Sequence, residues 1–147
     1  MNRDFPSRIQ EKLYLGNLQH ANNHRVLGRL KITHVLSVCS TRPQPHQGVT
    51  YLVIPVRDDP KVNIATYFAR GIRFIRTALE NGGVVLVHCV AGVSRSATMT
   101  IAYLMHTTGV SYPEAVGAVR RQRPIINPNL GFVRQLQDYS AYLQTKL

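Results

Sequence analysis

The chain has no tryptophan, and only two of its 147 residues are cysteines. Two cysteines form one bridge at most, so no disulfide framework holds this protein together. Neither Cys39 nor Cys89 belongs to a CxxC pair, which argues against zinc. Long hydrophobic runs are missing as well, and none approaches a membrane span. No basic and then apolar leader follows Met1, residue 2 is Asn where N-myristoylation needs Gly, and the closing Thr-Lys-Leu offers no prenylation cysteine. The expectation is a soluble intracellular protein without a membrane anchor, cytoplasmic and open to the nucleus. Acidic residues are scarce too: 7 Asp and Glu stand against 18 Lys and Arg, for a formal charge of +11. Such a balance suits nucleic acid, an anionic membrane, or an acidic or phosphorylated substrate. The cations are scattered, with no run of five like charges, so no nucleic-acid tail and no nucleic-acid partner is expected.

What is present reads as one domain over residues 1–147, with 44% apolar and 17% charged residues. The stretch 12–18 (KLYLGNL) reads as a short strand turning at Gly16, and 20–31 as a helix carrying Ala21, Val26, Leu27 and Leu30. Residues 32–40 and 49–56 are β-rich runs separated by the Pro/Gly loop 41–48, and 57–63 is a polar loop. Residues 64–82 form an amphipathic helix with Ile64, Phe68, Ile72, Ile75 and Leu79 on one stripe, stopping at Gly82-Gly83. The run 84–89 (VVLVHC) is apolar up to His88, as a central parallel strand covered on both faces should be. Three helices follow: 96–109, 111–124 with Ser111 and Glu114 as a capping box, and a last one capped by Asn127 or Asn129. Strands alternating with helices imply an α/β fold with one mostly parallel sheet flanked by helices.

The chemistry concentrates in residues 87–98, VHCVAGVSRSAT. Open α/β sheets bind ligands beyond the carboxyl ends of their strands, and Cys89 stands at such an end with a helix directly after it. Val90, Ala91, Gly92, Val93 and Ser94 are small enough to curl with their amides inward, as an anion nest at a helix N-terminus requires. The same positive field favours the thiolate form of a cysteine. Arg95 adds a planar guanidinium that can grip two phosphate oxygens, and Ser96 can place a hydroxyl near the sulfur. Each element suits a phosphate held over a sulfur nucleophile.

HCVAGVSRS matches the HCxxGxxRS loop of the cysteine-dependent protein phosphatases. The chain around it resembles the small dual-specificity (VH1-like) subfamily over nearly its whole length. LYLGNL, ITHVLSV, the Asp-bearing loop before NIATYF, and NPNLGFVRQL all stand in the right order. The resemblance implies a protein-tyrosine-phosphatase-like fold and hydrolysis of phosphotyrosine and phosphoserine/threonine through a phosphocysteine on Cys89, with no metal or other cofactor. Arg95 would hold the phosphate with the amides of Val90, Ala91, Gly92, Val93 and Ser94, and Ser96 would assist departure of the thiolate. The resemblance also implies a general acid from VRDDPKVNI: in the family the acid lies five residues before an Asn that leads into the helix, and counting back from Asn63 favours Asp58 over Asp59. Asp59 would then cap the turn before Pro60. Asn129 would brace the pocket loops, and phosphorylated proteins, kinases among them, would be the partners.

Two alternatives remain open at this level: a phospho-binding module with weak or no turnover, and a phosphatase for RNA 5′-triphosphates or phosphoinositides. Several other residues have plainer readings. Cys39 reads as a packed hydrophobe, with a reversible bridge to Cys89 conceivable only if the two strand ends meet. Adjacent strand residues face opposite ways, so His88 reads as a buried support for the loop, not as a base for Cys89. Arg120, Arg121 and Arg123 read as a solvated cluster complementing a helix end, or as a patch for acidic substrates.

Overall fold

The computed structural model describes residues 3–146. Its sheet has five strands in the order β1-β2-β5-β3-β4: β1 Ser7–Gln10, β2 Leu13–Gly16, β3 His34–Ser37, β4 Thr50–Val53 and β5 Val85–His88. β1 runs antiparallel to β2, and every other pairing is parallel. Residues 84–89 do hold the centre: β5 lies between β2 and β3, with Leu86 opposite both Tyr14 and Val35. The side-chain period of two then sorts β5 between two cores. Val85 and Val87 join the large cluster with Phe68, Ile75, Met99 and Phe132, while Leu86 joins Ala21, Leu27, Ile32 and Val35 on the other face. All three β5 residues are fully buried, and each contributes about 1.5–3 kcal/mol by leaving water.

On the smaller face the expected single helix over 20–31 is two, α1 Leu18–Asn22 and α2 His24–Leu30. The break has a local cause. Asn23 leaves helical geometry and its side chain accepts the Val26 N–H, capping α2, while Asn17 and His20 form a reciprocal capping box for α1. On the larger face a 3₁₀ turn, Ile64–Tyr67, leads into α3 Phe68–Glu80, followed by α4 Arg95–Thr108, α5 Tyr112–Gln122 and α6 Leu130–Gln144. The Ser111–Glu114 capping box opens α5, and Asn129 caps α6 through Phe132 N–H. Strand β1 went unforeseen because SRIQ is short, polar and half-exposed at the sheet edge.

Helix α4 is buried from Ser96 through Met105. That is unusual for a helix holding several hydroxyl groups, since an unpaired buried hydroxyl is costly. Thr98 and Thr100 resolve it by donating back to the carbonyls of Ser94 and Ser96, at 2.8 and 2.9 Å. Packed under α3, α5 and α6, α4 points its N-terminus at the carboxyl end of β5, which fixes the place where chemistry can occur.

Candidate active site

Cys89 follows β5 directly and lies buried, its Sγ 3.0 Å from Ser96 Oγ and 3.2 Å from the Gly92 N–H that donates to it. The loop between Cys89 and Arg95 is shaped by what its carbonyls bind. Val90 O accepts from Leu18 N–H at 3.1 Å, and Val93 O from Asn127 N–H at 2.8 Å. Gly92 O accepts from Arg123 Nε at 2.8 Å, and Cys89 O is bonded to His88 Nδ1 at 3.1 Å. In a trans peptide the carbonyl and the following N–H point opposite ways. Each carbonyl fixed outward therefore turns the next amide, that of Val90, Ala91, Val93 or Ser94, toward the centre of the loop. The result is a nest for an anion.

Helix α4 adds to it. Its N-cap residue Ser94 makes no side-chain cap, because Ser94 Oγ instead accepts the Asn129 N–H at 3.1 Å. The first-turn amides of α4 thus remain available to a ligand, together with the positive end of its dipole. Arg95 reaches back with Nη1 to Val56 O at 3.0 Å, while its Nε is buried without a partner. A buried donor without a partner costs roughly 1–3 kcal/mol, and a bound oxyanion would remove that penalty. Gly92 completes the loop at φ 69°, with Gly16 O and Arg123 Nη2 each 2.6 Å from where a Cβ would lie. Only glycine permits both that turn and that approach.

The loop carrying Asp58 meets this ring through Asn129. Its Nδ2 donates to Asp58 Oδ1 at 2.9 Å, so one residue touches that loop, Ser94 and the start of α6. Asp59 is engaged elsewhere: its Oδ1 accepts the Lys61 N–H at 2.8 Å inside the turn. Gly131 packs so closely on the backbone of Pro60 that a Cβ there would overlap it. Cys89, Arg95, Ser96 and Asn129 meet around the loop; Asp58 is linked to it through Asn129, and Asp59 is bonded within its own turn.

His88 is fully buried on the face opposite Cys89, with Nε2 2.6 Å from Ser37 Oγ. A carbonyl can only accept, so Nδ1 carries the proton toward Cys89 O and Nε2 accepts from Ser37. Burial pushes the His88 pKa down to about 4, keeping the ring neutral and both bonds intact near neutrality. Cys39 is buried as a free thiol, donating to Thr41 O at 3.4 Å, and burial raises its pKa. Among the described residues, no group of three or more His, Cys, Asp or Glu is placed to hold a metal ion, and no helix is long and apolar enough to cross a membrane.

Arg123 corrects the expectation of a solvated cluster. Arg120 and Arg121 are exposed, but Arg123 is only 7% exposed and sits beneath the loop, bonded to Gly92 O and, through Nη1, to Ser7 Oγ at 3.2 Å. Nothing in the run RRQRP separates it from its neighbours. Its partner Ser7 lies on the unforeseen strand β1, so the contact had no local signal.

The dual specificity phosphatase catalytic domain family matches residues 13–141. The chain is 44% identical to Dual specificity protein phosphatase 22 of Mus musculus over 92% of its own length and 74% of that protein's. It is 46% identical to Dual specificity protein phosphatase 15 of Mus musculus over 96% of its length, spanning 60% of that protein. The crystal structure of human DUSP28 superposes with a TM-score of 0.90 at 35% identity, covering 95% of each chain. The family match runs from β2 nearly to the end of α6, taking in every residue gathered at the end of β5, and on that ground the chain belongs to the family of dual specificity phosphatase catalytic domains.

Proposed function

We propose that this protein hydrolyses phosphotyrosine and phosphoserine/threonine in proteins through a phosphocysteine intermediate, with Cys89 as nucleophile, Arg95 and the loop amides as phosphate ligands, and Asp58 as acid and then base. One observation carries the reading: the buried, partnerless Nε of Arg95, on a guanidinium tethered to Val56 O beside the thiol and its ring of amides. The phosphoryl group seats its equatorial oxygens on the amides and on Arg95, which places phosphorus over the sulfur. Cys89 thiolate attacks in line; an S–P bond forms as the bond from phosphorus to the leaving oxygen breaks, and Asp58 gives that oxygen its proton. Asp58, now ionised, takes a proton from water. The water oxygen attacks phosphorus, the S–P bond breaks, and inorganic phosphate leaves. Ser96, 3.0 Å from the sulfur, donates to it as the thiolate returns. The amides and Arg95 stabilise the charge spread over the oxygens in both steps. Phosphorylated kinases are candidate substrates on this chemistry.

The test is hydrolysis of a small aryl phosphate under excess chelator by native protein and by Cys89→Ser, Arg95→Ala, Asp58→Ala and Asp59→Ala. Loss of activity in the first three variants alone, with the chelator having no effect, is the expected outcome. A damaging Asp59→Ala would move the acid by one residue. Native protein that binds phosphopeptides without turnover would replace the enzyme with a binding module.

A further inference from the structure

Four large apolar side chains stand well out in solvent among the described residues: Val90 (45% exposed), Ile125 (59%), Leu130 (81%) and Tyr142 (52%). The first three stand on the loop after β5 or on the 125–130 segment that is bonded to it. Val90 belongs to the phosphate loop itself. Ile125 lies two residues before Asn127, whose N–H is bonded to Val93 O, and Leu130 follows Asn129, which holds Asp58. Single exposed apolar residues are ordinary, but several converging on one mouth mark a binding surface. Ile125 also borders a cavity of about 470 Å³, with Phe5 and Pro124 as its other apolar walls and Arg3 beside them. Exposed cations stand farther out: Arg57 next to Asp58, and Arg134 one turn along α6 from Leu130.

We propose that Val90, Ile125 and Leu130 form an apolar collar selecting phosphoprotein segments with a bulky apolar side chain beside the phosphorylated residue and carboxylates beyond it. The inference rests on the phosphatase reading above and adds the substrate class. A peptide whose phosphate is seated in the loop must lay its neighbouring side chains across the mouth, where these three residues wait uncovered. Carboxylates farther along the peptide meet Arg3, Arg57 and Arg134, in keeping with the +11 charge of the chain. Burying one such side chain against the collar is worth roughly a tenfold change in affinity.

The test is fluorescence anisotropy with Cys89→Ser protein and phosphotyrosyl peptides carrying Leu or Ala beside the phosphotyrosine, and Asp or Lys farther out. The expected result is about tenfold tighter binding of the Leu peptide than of the Ala peptide, and weaker binding when Asp is changed to Lys. Adding Ile125→Ser and Leu130→Ser, both at exposed positions that leave the core intact, should shrink the Leu/Ala ratio to within twofold. A ratio near one in the parent protein, or one that survives in the double variant, overturns the collar. Cosedimentation with phosphatidylserine vesicles that disappears in the double variant would assign the surface to lipid and overturn it as well. Failure of the phosphatase reading shows separately, as native protein that hydrolyses no aryl phosphate while still discriminating the two peptides.

Discussion

Replacing Arg123 with methionine removes a cation buried beneath the loop, and the change should fall on catalysis more than on binding. Two bonds disappear, from Nε to Gly92 O at 2.8 Å and from Nη1 to Ser7 Oγ at 3.2 Å. The first has a charged donor and a buried acceptor, and its loss costs about 2 kcal/mol. For a chain of this length that corresponds to roughly 6 °C in Tm. The second consequence is local. Without Arg123 nothing holds the Gly92 carbonyl outward, so the peptide to Val93 can rotate and withdraw one amide from the nest. Losing one such donor lowers kcat by about 10²–10³. The assay pairs a melting curve with kcat and KM on an aryl phosphate, measured well below the variant's Tm. Lysine at 123 should restore part of kcat, because it can still donate to Gly92 O as a point charge. A variant with the lowered Tm but native kcat, or one in which lysine rescues Tm and not kcat, would show that Arg123 is only a structural residue and refute the reasoning.

Three other outcomes follow from the same geometry. Asp58→Asn should lower kcat by about 10²-fold or more on alkyl phosphates and far less on activated aryl phosphates, whose leaving groups need no proton, while Asp59→Asn leaves the ratio between the two substrates unchanged. Gly131→Ala should push the acid loop off α6 through Pro60, giving a drop in kcat with little change in phosphate affinity, read from the inhibition constant for inorganic phosphate. His88 has a folded pKa of about 4 against an ordinary 6.5, so the unfolded chain takes up a proton first as pH falls. The stability that neutral His88 provides is therefore complete above pH 6.5 and is lost progressively down to pH 4, by up to about 3 kcal/mol. Denaturant titrations across that window should show a slope that flattens in His88→Gln, and an equal slope in both proteins would contradict the assignment.

The parts of this site legible in sequence are those whose meaning is local. Cys89, Gly92, Arg95 and Ser96 lie within eight residues on one strand-to-helix turn, where spacing alone implies an anion nest. The continuous apolar run of β5 announced a central strand in the same way. Asp58 could be preferred only by register, because adjacent aspartates look alike in sequence; in the fold their partners differ, Asn129 for Asp58 and the Lys61 N–H for Asp59. Strand β1 escaped because it is short, polar and half-exposed, and Arg123 because its partners, Gly92 and Ser7, lie 31 and 116 residues away. The collar was invisible for the opposite reason: in a sequence, Ile125 and Leu130 look like core residues, and only the fold shows them uncovered.

The outward carbonyls of the phosphate loop are tied to the start of α1, to the last residue of β5, to the segment after α5 and to the turn before α6. A loop moored at four points behaves like the skin of a drum. Slack at any one mooring detunes the whole surface, even while the frame stays rigid. Activity in this protein is consequently a more sensitive gauge of local loosening than any global measure of folding, since the sheet can remain fully paired after the first mooring has let go.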